Sequence, residues 1–172
     1  AFCREFGLAR GMWYAVFHSI SAFCNAGFDL MGEKTPYSSL THFAASPSIN
    51  LTIICLIIIG GIGFLTWEDI RTKKFRIRKY RMQTKVILVT TGVLILLPAL
   101  YFFLYEFRDM PLGQRVLCAM FQAVTPRTAG FNTVDFGRLG GNAIGILVLL
   151  MLVGGSPGST AGGFKTTTLA VM

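Results

Sequence analysis

Charge is scarce in this chain: 14% of its 172 residues are charged, against roughly a quarter in an ordinary soluble domain. Acid is scarcer still, with 8 Asp and Glu against 16 Lys and Arg. An enzyme embedded in a membrane needs a converging set of His, Asp, Glu or Lys at membrane depth, and none is present. Glu68 and Asp69 fall at one edge of an apolar block, Glu106 and Asp109 at the edge of another. The four cysteines (Cys3, Cys24, Cys55, Cys118) lie far apart without CxxC-type spacing, so they read as reduced thiols packing as small hydrophobes. His18 and His42 have no His or Cys partner at ligand spacing, and a transition-metal site is excluded. No bound cofactor is implied.

What the chain does have is apolar length. Hydrophobic residues make up 53% of it, the mean hydropathy is +0.59, and these residues gather into blocks. Residues 49–67 contain no charge over 19 positions, roughly 28 Å of helix and close to the hydrocarbon thickness of a bilayer. Residues 86–105 form a second uncharged block of spanning length. Two such blocks in so short a chain, without amphipathic helices to cover them, place the protein in a lipid bilayer. The first residue is not an initiator Met and the last lies inside an apolar run, so an internal part of a longer polypeptide is expected.

The formal net charge of +8 is unevenly spread. Arg71, Lys73, Lys74, Arg76, Arg78, Lys79, Arg81 and Lys85 hold half of all the Lys and Arg. Between two spanning segments this run reflects the positive-inside rule rather than nucleic-acid binding. A basic cytoplasmic loop at 68–84 follows, with 49–67 running inward and an outer helix at 85–107 running outward. Residues 1–48 and 108–141 then belong to the outer side. Each holds an apolar helical piece too short to span, 12–24 and 114–124, and both are candidates for re-entrant pore helices.

The two pieces resemble each other. Ala15-Val16-Phe17 aligns with Ala119-Met120-Phe121, and Ser21 with Thr125. Ala26-Gly27-Phe28-Asp29 aligns with Ala129-Gly130-Phe131-Asn132 after a one-residue difference in spacing. The expected fold class is an all-α membrane protein of parallel helix–pore-loop–helix repeats with re-entrant pore helices, potassium-channel-like in plan. Residues 1–67 would close one repeat (pore helix 12–24, filter 25–29, inner helix 49–67). Residues 85–172 would form the next, with pore helix 114–124, filter 127–132 and a broken inner helix over 142–172.

A re-entrant helix entering from outside points its negative end at the bilayer centre, which favours a cation. Glycine in the returning chain permits the positive φ that turns carbonyls inward. The candidate ion-binding residues are Asn25, Ala26, Gly27 and Phe28 in one loop and Thr128, Ala129, Gly130 and Phe131 in the other. Carbonyls suit a weakly hydrated monovalent ion, and there is no carboxylate cluster for a divalent one. Phe28 and Phe131 are expected as packing wedges. Asp29, just outside the loop, either concentrates cations or is a solvated carboxylate.

The last helix breaks after Val153. Gly155, Ser156, Pro157, Gly158, Ser159, Thr160, Ala161, Gly162 and Gly163 follow, and helical character resumes near Phe164-Lys165-Thr166. About 18 Å of helix precedes the break, which therefore falls inside the bilayer. A mobile polar gate below the filter is expected at 154–163. The spacing of Gly158 and Gly163 imitates a phosphate-binding loop, but Phe164 intervenes before Lys165 and no strand precedes.

The stretches SAFCNAGFDL (21–30), TPRTAGFNT (125–133) and GGSPGSTAGGFKTTT (154–168) resemble the Trk/Ktr/HKT superfamily of potassium transporters, and most closely the membrane subunit of bacterial Ktr systems. The resemblance implies four repeats around one pathway, with a filter glycine from each (here Gly27 and Gly130). It also implies an intramembrane loop at 154–163 obstructing the filter, and K⁺ as the transported ion with or without linked Na⁺. As partners it implies a second copy of the subunit in a homodimer and a cytosolic nucleotide-binding regulatory ring, for which the basic loop is a plausible contact. Repeats one and four of that plan are absent here. The rival readings are a tetrameric cation channel, which uses one Thr-Val-Gly-Tyr-Gly loop per chain, and a non-conducting membrane scaffold.

Overall fold

The computed structural model describes residues 2–33, 38–74 and 76–172. Among the described residues eight α-helices carry the architecture, and there is no strand, only one isolated bridge between Val153 and Phe164. They are α1 (Phe2–Phe6), α2 (Leu8–Phe23), α3 (Pro47–Ile62), α4 (Phe64–Lys73), α5 (Met82–Tyr101), α6 (Leu112–Val124), α7 (Gly141–Leu152) and α8 (Thr166–Val171).

Helix α2 buries Gly11, Tyr14, His18, Ser21 and Ala22, a spacing of three and four that places them on one face. That face packs on α3, whose Ile49, Ile53, Ile54 and Ile57 join Phe121 and Val124 of α6 and Phe131 in one apolar core. A second core centres on Phe102, Phe107, Cys118, Ala119, Ala143 and Leu147. Asn50 anchors the start of α3 by donating to the carbonyls of Phe43 at 2.8 Å and Ser46 at 2.7 Å. Pro98 lies inside α5, and the helix widens into a π turn at Phe102–Glu106, where Glu106 accepts the N–H of Gly140 at 2.7 Å and holds the entry to α7.

Met82–Glu106 is long and apolar enough to cross a bilayer by itself. The apolar block at 49–67 does not form one straight helix: α3 and α4 meet at Gly63 with a bend of 95°. Gly63 sits at φ +95, and a Cβ there would lie 2.6 Å from the carbonyl oxygen of Pro157. The segment expected as a gate thus fills the elbow, and the helix turns aside to admit it. Hydropathy alone cannot register this, since every residue of the block is uncharged.

At the basic end of the fold, Asp69 of α4 is buried and gathers three bonds. It accepts from Lys73 Nζ at 2.9 Å, from the backbone N–H of Arg81 at 2.9 Å and from Thr84 Oγ1 at 2.8 Å. It therefore caps the N-terminus of α5, where backbone N–H groups lack helical partners. The Lys73 hydrogen bond, aided by those from Arg81 and Thr84, lowers the Asp69 pKa to about 2. A lowered carboxyl pKa contributes stability that is present above the ordinary value near 4 and is lost as pH falls through about 2. Tryptic cleavage of the 71–85 loop is accordingly expected to be insensitive to pH from about 7 to 9. Asp69→Asn, which removes the charge that Lys73 and Arg81 face, should speed it severalfold. Equal cleavage of wild type and variant would refute the cap.

Candidate functional site

Both short helices end in loops built alike. After α2, Asn25 and Gly27 have φ +51 and +71; after α6, Thr128 and Gly130 have φ +77 and +86. Left-handed residues separated by one ordinary residue turn successive peptide planes the same way, so a short stretch can aim several carbonyls at one point. For a β-branched residue such as Thr128 a positive φ is a true outlier, and strain of about 1–3 kcal/mol of this kind gathers at functional sites.

The loops are also braced alike. Ser21 Oγ donates to the carbonyl of Phe28 at 2.8 Å, and Thr125 Oγ1 donates to that of Phe131 at 2.6 Å. A hydroxyl at the end of each helix, Ser21 in the last turn of α2 and Thr125 at the C-cap of α6, thus holds the residue after the glycine. The backbone N–H of Ala26 returns to Ser21 O at 2.9 Å, and those of Ala129 and Gly130 to Thr125 O at 3.1 and 3.0 Å. The first loop is closed further by buried His18, whose Nε2 accepts from Leu30 N at 3.4 Å.

The two loops meet. A Cβ on Gly27 would lie 2.0 Å from the carbonyl oxygen of Ala129 and 3.2 Å from Gly130 Cα. Beyond the contact, Leu40 N donates to Asn132 O at 2.8 Å and Asn132 N to Ser39 Oγ at 3.1 Å. Gly130 and Ala26 are exposed, while Ala129 and Phe131 are buried. The two aromatic residues part company: Phe131 is fully buried in the core, with its ring 6.3 Å from that of His18, whereas Phe28 is 70% exposed. Asp29 accepts the N–H of Met31 at 2.9 Å.

The glycine-rich segment is densely bonded. Its ends are pinned together: Gly154 N donates to Phe164 O at 2.9 Å and Thr166 N to Gly155 O at 3.2 Å. Its middle is held in the α3–α4 elbow, with Ser156 N on Gly61 O at 2.9 Å, Thr160 N on Gly60 O at 3.2 Å and Phe64 N on Gly158 O at 3.0 Å. Ser156 is fully buried with its hydroxyl 3.1 Å from that of Thr166. Pro157, Ser159 and Thr160 are half-buried, Ala161 is buried, and Gly158, Gly162 and Gly163 are exposed.

Two side-chain contacts of this region are not evident from the sequence. Asn25 belongs to the loop by its backbone, but its side chain turns toward the glycine-rich segment, donating to Thr160 Oγ1 at 3.0 Å. Arg127, buried at 8% exposure, donates from Nη2 to Gly154 O at 3.2 Å. The only available signals were the Gly60-Gly61-Ile62-Gly63 run inside an apolar block and a lone Arg in an otherwise uncharged loop.

Paired short helices, each followed by a strained and braced loop, with the loops in contact beside a broken helix, define a membrane protein of re-entrant pore-loop repeats. The chain belongs to the TrkH family of cation transport proteins, whose model matches residues 4–172. It is 38% identical to the potassium/sodium uptake protein NtpJ of Enterococcus hirae, covering 99% of this chain and 38% of NtpJ. It is 37% identical to the Ktr system potassium uptake protein B of Bacillus subtilis, covering 98% of this chain and 38% of that protein. Its fold is shared with the crystal structure of the potassium transporter TrkH from Vibrio parahaemolyticus, with TM-score 0.74 and 24% identity over 92% of this chain and 33% of that one. The expected all-α fold and family are therefore correct, and the protein is a multi-pass protein of the plasma membrane. The chain spans less than two fifths of the length of these relatives.

Proposed function

We propose that the chain is part of the membrane subunit of a K⁺ uptake system. In this reading the Asn25–Phe28 and Thr128–Phe131 backbones supply half of a selectivity filter, and residues 154–163 gate it from the cytoplasmic side. The observation that carries the reading is the direct approach of Gly27 to Ala129 O and Gly130. Two loops of one conformation, drawn from positions about a hundred residues apart in the chain, are brought to one point. Backbone of this kind is tolerated at membrane depth only where protein encloses it or it lines a wet path.

The other half of the path is assigned to repeats outside this chain. Helix α2 leaves Leu8, Met12, Val16 and Ile20 exposed at a spacing of four, with Trp13 beside them. A pore helix surrounded by further repeats would present such a face. The names of the relatives, potassium uptake and potassium/sodium uptake proteins, support K⁺ as the ion and leave Na⁺ linkage as a second arm of the test. The full subunit pairs as a homodimer and takes its regulation from a cytosolic nucleotide-binding ring. Exposed Arg71, Lys74, Arg76, Arg78 and Lys79 offer that ring a basic face.

Rubidium uptake by the full-length protein in cells deficient in K⁺ uptake tests the reading. Uptake that K⁺ competes is expected, and repeating it with and without Na⁺ measures the linkage. A properly inserted protein that takes up no rubidium with its regulatory ring supplied would overturn the proposal.

A further inference from the structure

Asn25 and Arg127 each lie in a pore loop, Asn25 at the first left-handed position and Arg127 one residue before its counterpart Thr128, and the side chain of each reaches the glycine-rich segment. Asn25 Nδ2 donates to Thr160 Oγ1 at 3.0 Å, and the same hydroxyl donates to Phe23 O at 2.8 Å. Arg127 Nη2 donates to Gly154 O at 3.2 Å. One bond therefore grips the middle of the segment from the first loop, and the other grips its start from the second.

The packing around these bonds leaves little slack. A Cβ on Gly60 would lie 2.0 Å from Phe23 O, 2.8 Å from Thr160 Oγ1 and 3.0 Å from Asn25 Nδ2. Helix α3, the first pore loop and the glycine-rich segment thus converge on a point where only glycine fits. A small cavity of about 20 Å³ adjoins it, lined by Asn25, Thr91, Arg127 and Gly155 among others. Asn25 Oδ1, Thr91 Oγ1 and Arg127 Nε are all buried without a protein partner. A cavity of about that size accommodates one water molecule where two to four polar groups reach it. All three belong to residues that line this cavity.

We infer that Asn25 and Arg127 are positioning residues that latch the gate segment to the two pore loops, an inference that rests on the gating role proposed above. With the latch closed, Thr160 and Gly154 are held to the loops. Opening exchanges those bonds for bonds to water in the cavity, where acceptor and donor atoms already stand unpaired. The donors released from Thr160 and Gly154 then have water to bond, which holds the cost of opening to the scale of about one or two hydrogen bonds. The Gly154 and Thr160 bonds also explain why two residues with no ion-facing side chain sit within the loops.

The latch is tested in the full-length protein with Thr160→Val, which keeps shape and removes the hydroxyl, and Asn25→Gly, which keeps the left-handed backbone and removes the amide. Hydrogen–deuterium exchange of amides 154–163 and rubidium uptake without the regulatory ring are the two readouts. Each variant should accelerate exchange and raise basal uptake roughly two- to tenfold, the scale of a single hydrogen bond. The double variant should match the larger single effect, since both remove one contact. Arg127→Lys, which retains a donor of the same charge, should lie between wild type and Arg127→Met. Unchanged exchange in both single variants, or effects that multiply in the double, overturns the latch whatever the uptake shows. Faster exchange with wild-type uptake overturns its part in gating. A wild type that takes up no rubidium counts against the functional reading instead, because exchange still reports the latch.

Discussion

Gly27→Ala is expected to abolish rubidium uptake by the full-length protein, whereas Gly130→Ala should leave a measurable part of it. Both glycines hold positive φ, +71 and +86, and for an L-residue that conformation costs roughly 1–2 kcal/mol. The surroundings then separate them. A Cβ on Gly27 would lie 2.0 Å from Ala129 O, a backbone atom with no rotamer to escape into. A Cβ on Gly130 would meet only Gly27 Cα, at 3.8 Å, an ordinary contact. Alanine at 27 must push the second loop aside by more than about 1 Å, and carbonyl coordination depends on the number and placement of oxygens around the ion. Alanine at 130 adds backbone strain without a collision. Gly130→Asp is a different lesion: a carboxylate enters the path and binds the cation too tightly to release it, so selective flux is lost although space is available. Uptake is to be measured at matched membrane levels of each variant. Wild-type rate and K⁺ selectivity in Gly27→Ala or in Gly130→Asp would refute the filter assignment.

Much of this arrangement is legible in the sequence because it is written twice. The Ser21/Thr125 pairing and the repeated Ala-Gly-Phe were enough to expect two equivalent loops, and the bonds from those hydroxyls to Phe28 and Phe131 show why the residues recur. What could not be read depends on contacts distant in sequence. Asn25 and Thr160 are 135 positions apart, and nothing local distinguishes an asparagine that lines a loop from one that grips a neighbour. The elbow at Gly63 was masked by uniform hydropathy, although three glycines in four residues were the available hint. Phe28 and Phe131 look identical in pattern and differ in burial because only Phe131 packs into the apolar core with α2, α3 and α6. Periodicity locates helices and repeats, while the partners of irregular backbone come only from the fold.

Shortening the glycine-rich segment by deleting 156–161 should raise basal uptake at least about tenfold while leaving K⁺ selectivity intact. The deletion removes three backbone bonds to the α3–α4 elbow, Ser156 N to Gly61 O, Thr160 N to Gly60 O and Phe64 N to Gly158 O. At about 1 kcal/mol each, their loss exceeds the 1.4 kcal/mol that corresponds to a decade in an equilibrium. Folding should survive, because the segment's ends already touch. Gly154 N bonds Phe164 O, Val153 bridges Phe164, and the backbones of Gly154 and Gly162 are packed so closely that a Cβ on Gly154 would lie 1.9 Å from Gly162 O. A loop with joined ends can lose its middle without pulling on the helices it connects. Selectivity should survive for a separate reason: each pore loop is braced by its own helix through Ser21 or Thr125, and neither brace involves the deleted residues. Rubidium uptake measured with and without the regulatory ring, together with competition by Na⁺, reads both halves of the expectation. Unchanged uptake in a correctly inserted deletion variant would mean that 154–163 does not obstruct the path. Raised uptake with lost K⁺ preference would mean that the segment shapes the filter itself, which its bonds to Asn25 and Arg127 make the sharpest rival to a pure gate.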